Sequence, residues 1–213
     1  HTLSSISNMG YVLDALGQPA KAESYHRQAL ERRRRVLGEL HPDTLTSINN
    51  MGYSLKTQGR LSEAEPYFRQ ALEGRRRVLG ADHPHTLLSL NNMGSLLESQ
   101  GRQAEAELYY RQALEGYRRV LGTDHPDTLV LIDNMGPLLA SQGRLAEAEP
   151  YYRQASEGYQ RVLGTDHPRT LGAVNNLGAL LALQGQLGEA EVYYNQVLEG
   201  FRRVLGERHR HTL

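Results

Sequence analysis

The sequence predicts an all-α protein made of stacked helical hairpins, and three observations lead to this class. The segment GTDHPDTL at Gly122 has close copies at Gly38, Gly80, Gly164 and Gly206, so the sequence repeats every 42 residues. Apolar residues within each repeat are spaced by three or four positions, as on one face of a helix. No segment shows the two-residue alternation of a half-buried β-strand. A strict period of this length indicates supersecondary units that pack on their neighbours.

Five complete repeats follow one another without insertion or deletion. They comprise residues 1–42, 43–84, 85–126, 127–168 and 169–210, and residues 211–213 start a further copy. Because each repeat carries the signals for two helices, we expect a single array over residues 1–213. The predicted architecture is an α-solenoid of five stacked helix-turn-helix repeats.

Each repeat is predicted to contain two helices, A and B, and the second repeat illustrates both. The apolar face of helix A comprises Leu45, Ile48, Met51 and Leu55, and that of helix B comprises Ala64, Phe68, Ala71, Val78 and Leu79. The QGR segment between them contains Gly59, which tolerates the positive φ of a tight reversal. The HP motif starts helix A, with histidine at the N-cap and proline at the first helical position. The glycine that follows each VL pair ends helix B.

The order of large and small residues along these helices resembles the tetratricopeptide repeat. In the second repeat it consists of Ile48, Met51-Gly52, Leu55, Ala64, Phe68 and Ala71. The 42-residue period, with its HPxTL, NN, QGR and RRVLG motifs, is similar to the longer variety of this repeat in kinesin light chains. The first repeat departs from the pattern, because His26 occupies the aromatic position of helix B. The resemblance implies a right-handed superhelix that serves as a non-enzymatic scaffold for proteins or peptides.

The resemblance also implies a binding site, because helix A lines the concave groove of this family and its polar side chains bind the backbone of an extended peptide. The corresponding peptide-binding positions here are Ser7, Tyr11, Asn49, Tyr53, Asn91, Ser95, Asp133 and Asn175. The second polar residue of each pair is asparagine in all five repeats: Asn8, Asn50, Asn92, Asn134 and Asn176. We interpret these second asparagines as hydrogen-bonding between adjacent helices, so that only the first of each pair faces the groove.

The residue pattern argues against a metal centre, a cofactor and a catalytic site. The histidines of successive HP motifs are expected to lie on the order of 10 Å or more apart, whereas the ligands of a zinc ion lie within about 2.1 Å of it. The pairs His83/His85 and His209/His211 are the closest in sequence, and we interpret them as structural. The sequence contains none of the P-loop, GxSxG, HExxH or GxGxxG motifs. No enzyme activity and no cofactor are therefore predicted.

The charge pattern disfavours nucleic acid and membranes as partners. Lys and Arg number 24, and Asp and Glu also number 24, so no net charge attracts a polyanion. No apolar run reaches the roughly 20 residues that cross a bilayer. The arginine runs at residues 32–35 and 75–77 are preceded by Glu31 and Glu73, four positions before Arg35 and Arg77. This order favours a solvated, ion-paired helix face over a nucleic-acid surface.

The terminal repeats leave a second function open. A solenoid needs polar end units, because an end unit otherwise exposes the face intended for its neighbour. The last helix B carries Tyr194, Val197, Leu198, Phe201 and Val204, as apolar a set as any internal copy. Either the sequence is a window from a longer repeat array, or the uncapped ends of identical chains associate head to tail, into a filament or tube when the contact does not close. The predicted partners are therefore proteins, extended peptides or further copies of this chain. A cytoplasmic location suits the scaffold, and an extracellular one suits the filament subunit.

Overall fold

The computed structural model describes residues 2–206, which form ten α-helices and no β-strand. The helices are α1 (Thr2–Ala15), α2 (Pro19–Leu37), α3 (Pro42–Thr57), α4 (Leu61–Leu79), α5 (Pro84–Ser99), α6 (Gln103–Leu121), α7 (Pro126–Ser141), α8 (Leu145–Leu163), α9 (Pro168–Leu183) and α10 (Leu187–Leu205). The predicted all-α class is confirmed. The predicted start of a further repeat at residues 211–213 and the pair His209/His211 lie outside the described residues.

Successive helices pair into five hairpins, which we number in chain order: α1–α2, α3–α4, α5–α6, α7–α8 and α9–α10. Helix A of hairpins 2 to 5 starts at Pro42, Pro84, Pro126 and Pro168, so the structure keeps the period of the sequence. The chain divides into two compact units, unit 1 (residues 1–116) and unit 2 (residues 117–213), and the boundary falls within α6. Each unit is described separately below.

The HP motif starts four of the helices in the predicted way. The backbone of His41 is extended, and its Nδ1 accepts a hydrogen bond from the backbone N–H of Asp43 at 3.1 Å. The equivalent caps are His83 with His85, His125 with Asp127 and His167 with Arg169. These imidazoles satisfy backbone donors that have no partner within the helix.

Within each hairpin, a glycine of helix A lies against the aromatic position of helix B. A Cβ atom added to Gly94 would lie 2.6 Å from Cδ1 of Tyr110, too close for any carbon–carbon contact. The Tyr110 ring is fully buried, and its hydroxyl donates to Glu98 at 2.9 Å. The ring therefore has a fixed position, and the helices approach each other because residue 94 has no side chain.

In hairpins 2, 3 and 5, a glutamine just after helix A ties the hairpin to the one before it in the same unit. The equivalent glutamine of hairpin 4, Gln142, has a buried Nε2 without a hydrogen-bond partner among the described residues. Gln58 Nε2 donates to Glu23 Oε2 at 3.1 Å and to the carbonyl of Pro19 at 3.4 Å. The equivalent donors and acceptors are Gln100 with Glu65 and Leu61 in unit 1, and Gln184 with Glu149 and Leu145 in unit 2. In unit 1 an arginine adds an ion pair, with Arg60 Nη1 2.7 Å from Glu23 Oε2. These contacts link the end of one helix A to the start of the preceding helix B.

The arginine runs are not wholly solvated, and this corrects the expectation for one residue in each of two runs. Arg33 is 9% exposed, and its Nη1 donates to Ser47 Oγ at 2.7 Å. Arg75 is 2% exposed, and its Nη1 donates to Ser89 Oγ at 2.8 Å. Each of these two arginines therefore reaches from one helix B into the next helix A. Burial is tolerated because oxygen acceptors surround the guanidinium groups.

Replacing Gly94 with alanine is expected to destabilise the protein by about 1–3 kcal/mol, since the added methyl group overpacks a buried ring. The matched control is Gly172→Ala in α9, where no atom lies within 4 Å of the added Cβ. That change is expected to stabilise the protein by about 0.5–1 kcal/mol through helix propensity. Urea unfolding followed by circular dichroism measures both. Equal effects of the two substitutions would contradict the close approach.

Replacing Glu65 with glutamine is expected to lower stability at neutral pH but not in acid. The hydrogen bond from Gln100, with a smaller contribution from Arg69, holds the pKa of Glu65 below its ordinary value. A carboxylate with a lowered pKa stabilises the folded state above its unfolded-state pKa, and this contribution is lost as the pH falls through its folded-state pKa. The difference between wild type and Glu65→Gln should therefore vanish as the pH is lowered well below 4.5.

Urea unfolding of both proteins over a pH series measures this difference. The control is Glu73→Gln, because Glu73 is exposed and has no ion pair among residues 2–206, so the expected pairing of Glu73 with Arg77 is wrong. The Glu73 variant should match the wild type at every pH. A constant difference between wild type and Glu65→Gln over the whole series would show that the Gln100–Glu65 contact has no ionic component.

Candidate functional site

A cavity of about 540 Å³ lies on unit 1 along the helices A of three hairpins. We call it the first-unit cavity, and its lining residues are Tyr11, Asp14, Ala15, His26, Thr46, Asn49, Asn50, Tyr53, Arg75, His85 and Leu88. Its size falls within the range of small-ligand pockets, about 300–1,000 Å³. Aromatic, amide and charged side chains thus meet around one opening.

Two asparagine side chains in this cavity are held through their oxygen atoms. Asn49 Oδ1 accepts from Asn92 Nδ2 at 2.9 Å, and Asn50 Oδ1 accepts from the hydroxyl of Tyr11 at 3.1 Å. Among residues 2–206, neither Asn49 Nδ2 nor Asn50 Nδ2 has a partner. Each amide nitrogen carries two donors, so these two residues of the cavity lining retain N–H groups without a hydrogen-bond partner among the described residues.

One end of the cavity contains a hydrogen bond between a buried histidine and an aspartate. His26 is 1% exposed, and its Nε2 lies 2.9 Å from Asp14 Oδ2. The Tyr11 ring packs edge-on against the His26 ring, with 5.7 Å between the ring centroids. The second oxygen of Asp14, Oδ1, is buried and has no partner among the described residues. The pair keeps the Tyr11 ring in place beside the opening.

The other end is formed by Arg75 and the start of α5. Arg75 Nη1 donates to the carbonyl of His85 at 3.1 Å, and its Nη2 donates to Thr46 Oγ1 at 3.3 Å. Partial burial, together with the positive charge of Arg75 and the neighbouring His83, lowers the pKa of His85. A lowered pKa favours the neutral imidazole, so the His85 ring adds an apolar surface and a neutral hydrogen-bonding group to this end of the cavity.

The predicted groove residues of unit 1 divide into two groups. Tyr11, Asn49 and Tyr53 line the first-unit cavity, and the two tyrosines are 48% and 51% exposed. Ser7 is 5% exposed, and its buried hydroxyl has no partner among the described residues. Asn91 and Ser95 are partly buried outside the cavity, and Ser95 Oγ accepts from Lys56 Nζ.

The other two predicted residues belong to unit 2. Asp133 is partly buried in α7, and this burial raises the pKa of its carboxyl group. Asn175 is exposed on α9 and lines a separate cavity of about 410 Å³ with Tyr194 and Phe201. Aromatic and aliphatic side chains make up most of the lining of this cavity in unit 2.

Two of the second asparagines of unit 1 hydrogen-bond between adjacent helices A, as predicted: Asn50 bonds to α1 and Asn92 to α3. The expectation that only the first of each pair faces outward is wrong for Asn50, which also lines the first-unit cavity. The first asparagine takes part as well, since Asn49 is the acceptor for Asn92. The hydrogen bonds from Tyr11 to Asn50 and from Asn92 to Asn49 thus link the helices A of the three hairpins of unit 1 and position these polar groups along the cavity.

The described part of the chain holds neither a metal-binding cluster nor a membrane-spanning helix. Over residues 2–206, no three His, Asp or Glu side chains cluster in a way that would hold a metal ion. None of the helices α1 to α10 combines the length and the apolar character needed to span a membrane.

Sequence reasoning missed Arg75 and His26 as residues of the cavity. In both cases the residues at the equivalent positions of the other repeats indicated the special role. The repeat position of Arg75 is occupied by Tyr117, Tyr159 and Phe201 in later repeats, and aromatic residues at one position indicate a buried side chain. His26 occupies the position of an aromatic residue in all other repeats, which indicates a local change of function or packing.

The ten helices, paired into hairpins that stack within each unit, define a helical-repeat protein of the solenoid class. The family model described as "Tetratricopeptide repeat" matches residues 1–77, 48–119, 109–161 and 129–203. The chain therefore belongs to the tetratricopeptide repeat family. Such repeats mediate protein–protein interactions, so the fold is that of an interaction scaffold. No match was found among curated proteins.

Solved structures with this fold include kinesin-light-chain-like repeat proteins. A crystal structure from Podosopora anserina, described as a kinesin light chain with nearly identical TPR-like repeats, has a TM-score of 0.81 and 21% identity over 96% of this chain and 97% of that chain. BtubC (BKLC) from P. vanneervenii has a TM-score of 0.83 and 22% identity over 97% of this chain and 82% of that chain. At these identities the similarity concerns the fold.

Proposed function

We propose that the chain is a non-enzymatic scaffold and that its first-unit cavity binds an extended peptide segment of a protein partner. The observation that carries this proposal is the pair of fixed amides, Asn49 and Asn50, whose Nδ2 groups have no partner among the described residues. An extended peptide presents unpaired backbone carbonyls, and fixed donors in the cavity bind them at little entropic cost.

The tyrosines supply the apolar part of the site. Tyr11 and Tyr53 are each about half exposed and lie on consecutive helices A. Their positions are occupied by Ser95, Pro137 and Ala179 in the later repeats, so the aromatic surface is confined to the first two hairpins. Rigid aromatic rings bury a large area with little loss of rotamer freedom. The bound segment therefore places an apolar or aromatic side chain between these rings.

Tyr53→Ala is expected to weaken peptide binding by about tenfold or more, which corresponds to about 1.4 kcal/mol. Peptides selected from a random display library against the full chain supply the probe, and fluorescence anisotropy measures their dissociation constants. The matched control is Tyr67→Ala, which removes a tyrosine of the same unit that does not line the cavity. Equal losses in both variants, or no loss in Tyr53→Ala, would refute this site.

Asn49→Asp tests the amide donor alone. An aspartate keeps an oxygen to accept from Asn92 but replaces the Nδ2 donor with an acceptor that repels a peptide carbonyl. We expect a loss of affinity of about tenfold or more, with the helical content unchanged by circular dichroism. Asn91→Asp, outside the cavity, is the control and should retain binding. Full affinity in Asn49→Asp would exclude the amide from the site.

A further inference from the structure

Hairpin 4 carries an acidic residue at a position that is neutral and polar in the other hairpins. Asp133 of α7 stands where hairpins 1, 2, 3 and 5 have Ser7, Asn49, Asn91 and Asn175. It is partly buried, and its Oδ1 atom is fully buried. Neither carboxylate oxygen has a hydrogen bond or an ion pair among residues 2–206. The carboxylate therefore lacks the donors that normally offset burial of a polar group.

The equivalent position of hairpin 2 shows which contact is missing. Asn49 Oδ1 accepts from Asn92 Nδ2 at 2.9 Å, across adjacent helices A. Asn176 stands in the place of Asn92 in hairpin 5, but it makes no hydrogen bond to Asp133. The acceptor at this position is thus satisfied within the protein in hairpin 2 and left open in hairpin 4.

A proline adds a second open acceptor to the same residue. Pro137 lies inside α7, four residues after Asp133, and is exposed. Because proline has no backbone N–H, the carbonyl of Asp133 does not receive the hydrogen bond that residue i+4 donates in a regular helix. Residues four positions apart lie on the same face of a helix. Asp133 therefore offers a carboxylate and a backbone carbonyl on the face of α7 that bears Pro137.

The charges around Asp133 favour a cationic occupant. Burial raises the pKa of its carboxyl group, and the positive charge of Arg169 offsets this rise only in part. Arg169 is exposed in the first turn of α9 and forms no ion pair with Asp133. A carboxylate without a close counter-ion is stabilised by a cation that reaches it and donates hydrogen bonds.

We infer that the face of α7 around Asp133 and Pro137 binds the cationic side chain of an arginine or lysine in a partner protein. The carboxylate of Asp133 supplies the opposite charge, and its backbone carbonyl accepts a second N–H of the same group. Guanidinium and ammonium groups each carry several N–H donors and no acceptor, so either can serve both oxygens. This site belongs to unit 2, and it does not depend on the peptide proposed for the first-unit cavity.

Other ligands fit this face less well. Calcium takes about six to eight oxygen ligands and magnesium about six, but no three His, Asp or Glu side chains in the described chain are grouped to hold a metal ion. The charge of Asp133 repels an anion. Because the tetratricopeptide repeat is a protein-interaction fold, a cationic side chain of a protein is a better match than a free amine.

A display selection with random peptides tests the preference for a cation. The target is the full chain carrying Tyr53→Ala, because this change removes an aromatic residue of the first-unit cavity. The selected peptides should share an arginine or lysine at one position, and fluorescence anisotropy measures their dissociation constants. Replacing that residue with its uncharged analogue, citrulline or acetyl-lysine, should weaken binding by about tenfold or more.

Asp133→Asn should cause a similar loss, and the uncharged peptide should then lose no further affinity. Because asparagine is the residue of hairpins 2, 3 and 5 at this position, the circular dichroism spectrum should not change. A selection without a shared basic residue would overturn the inference. So would additive losses from the peptide change and Asp133→Asn, since the cation would then bind elsewhere.

Two further variants separate the two acceptors from general charge effects. Pro137→Ala restores an N–H for the carbonyl of Asp133 and should weaken binding several-fold, although the carboxylate remains. Asp127→Asn is the matched control, because it removes the same charge from an exposed position of α7, and it should retain full affinity. Full affinity in Pro137→Ala, or an equal loss in Asp127→Asn, would overturn the inference. These outcomes leave the first-unit cavity untested, since its own variants are measured in the chain that retains Asp133.

Discussion

The hydrogen bond from a glutamine at the end of one helix A to a glutamate of the preceding helix B is the contact on which the regularity of the stack depends. It joins residues 35 positions apart, so it forms only when two hairpins are in register. Apolar packing alone tolerates sliding, because leucine and alanine surfaces fit in several registers. A partly buried amide that also reaches a backbone carbonyl does not tolerate it, since any slip leaves both groups unsatisfied. The polar junction thus fixes the positions of α3, α5 and α9, and in unit 1 it fixes the side chains along the first-unit cavity.

The hairpins keep the same packing along the chain, and the residues that differ between repeats in the candidate site are confined to a few positions. The polar pairs recur at one position of every helix A, and their neighbours one turn later change from tyrosine to serine, proline and alanine along the chain. Such a frame allows a binding surface to change residue by residue without altering the hairpins that carry it. The first-unit cavity is the place where the aromatic, amide and charged variants coincide.

Much of the fold was predictable from the sequence because its determinants are local. These determinants act within one repeat and recur with the period. They are the HP motif, the glycines after helix B and the apolar spacing of Leu45, Ile48 and Met51. Contacts between repeats were harder to predict. The burial of Arg75 depends on a serine 14 residues later in another helix, and a run of arginines read in isolation indicates an exposed surface. The cavity was predicted in part: Tyr11, Asn49 and Tyr53 line it, but the contribution of His26 and Arg75 follows only from how helices B pack beneath helices A.

The histidine caps have a consequence for how this molecule can be observed. Because Nδ1 of His41, His83, His125 and His167 accepts a backbone hydrogen bond, the proton of each neutral ring resides on Nε2. Nitrogen-15 chemical shifts distinguish this tautomer from the alternative. Four imidazoles, one at each of four helix starts, therefore serve as built-in spectroscopic labels. They would allow the fraying of individual repeats to be followed separately in a protein whose repeats are otherwise too alike to tell apart.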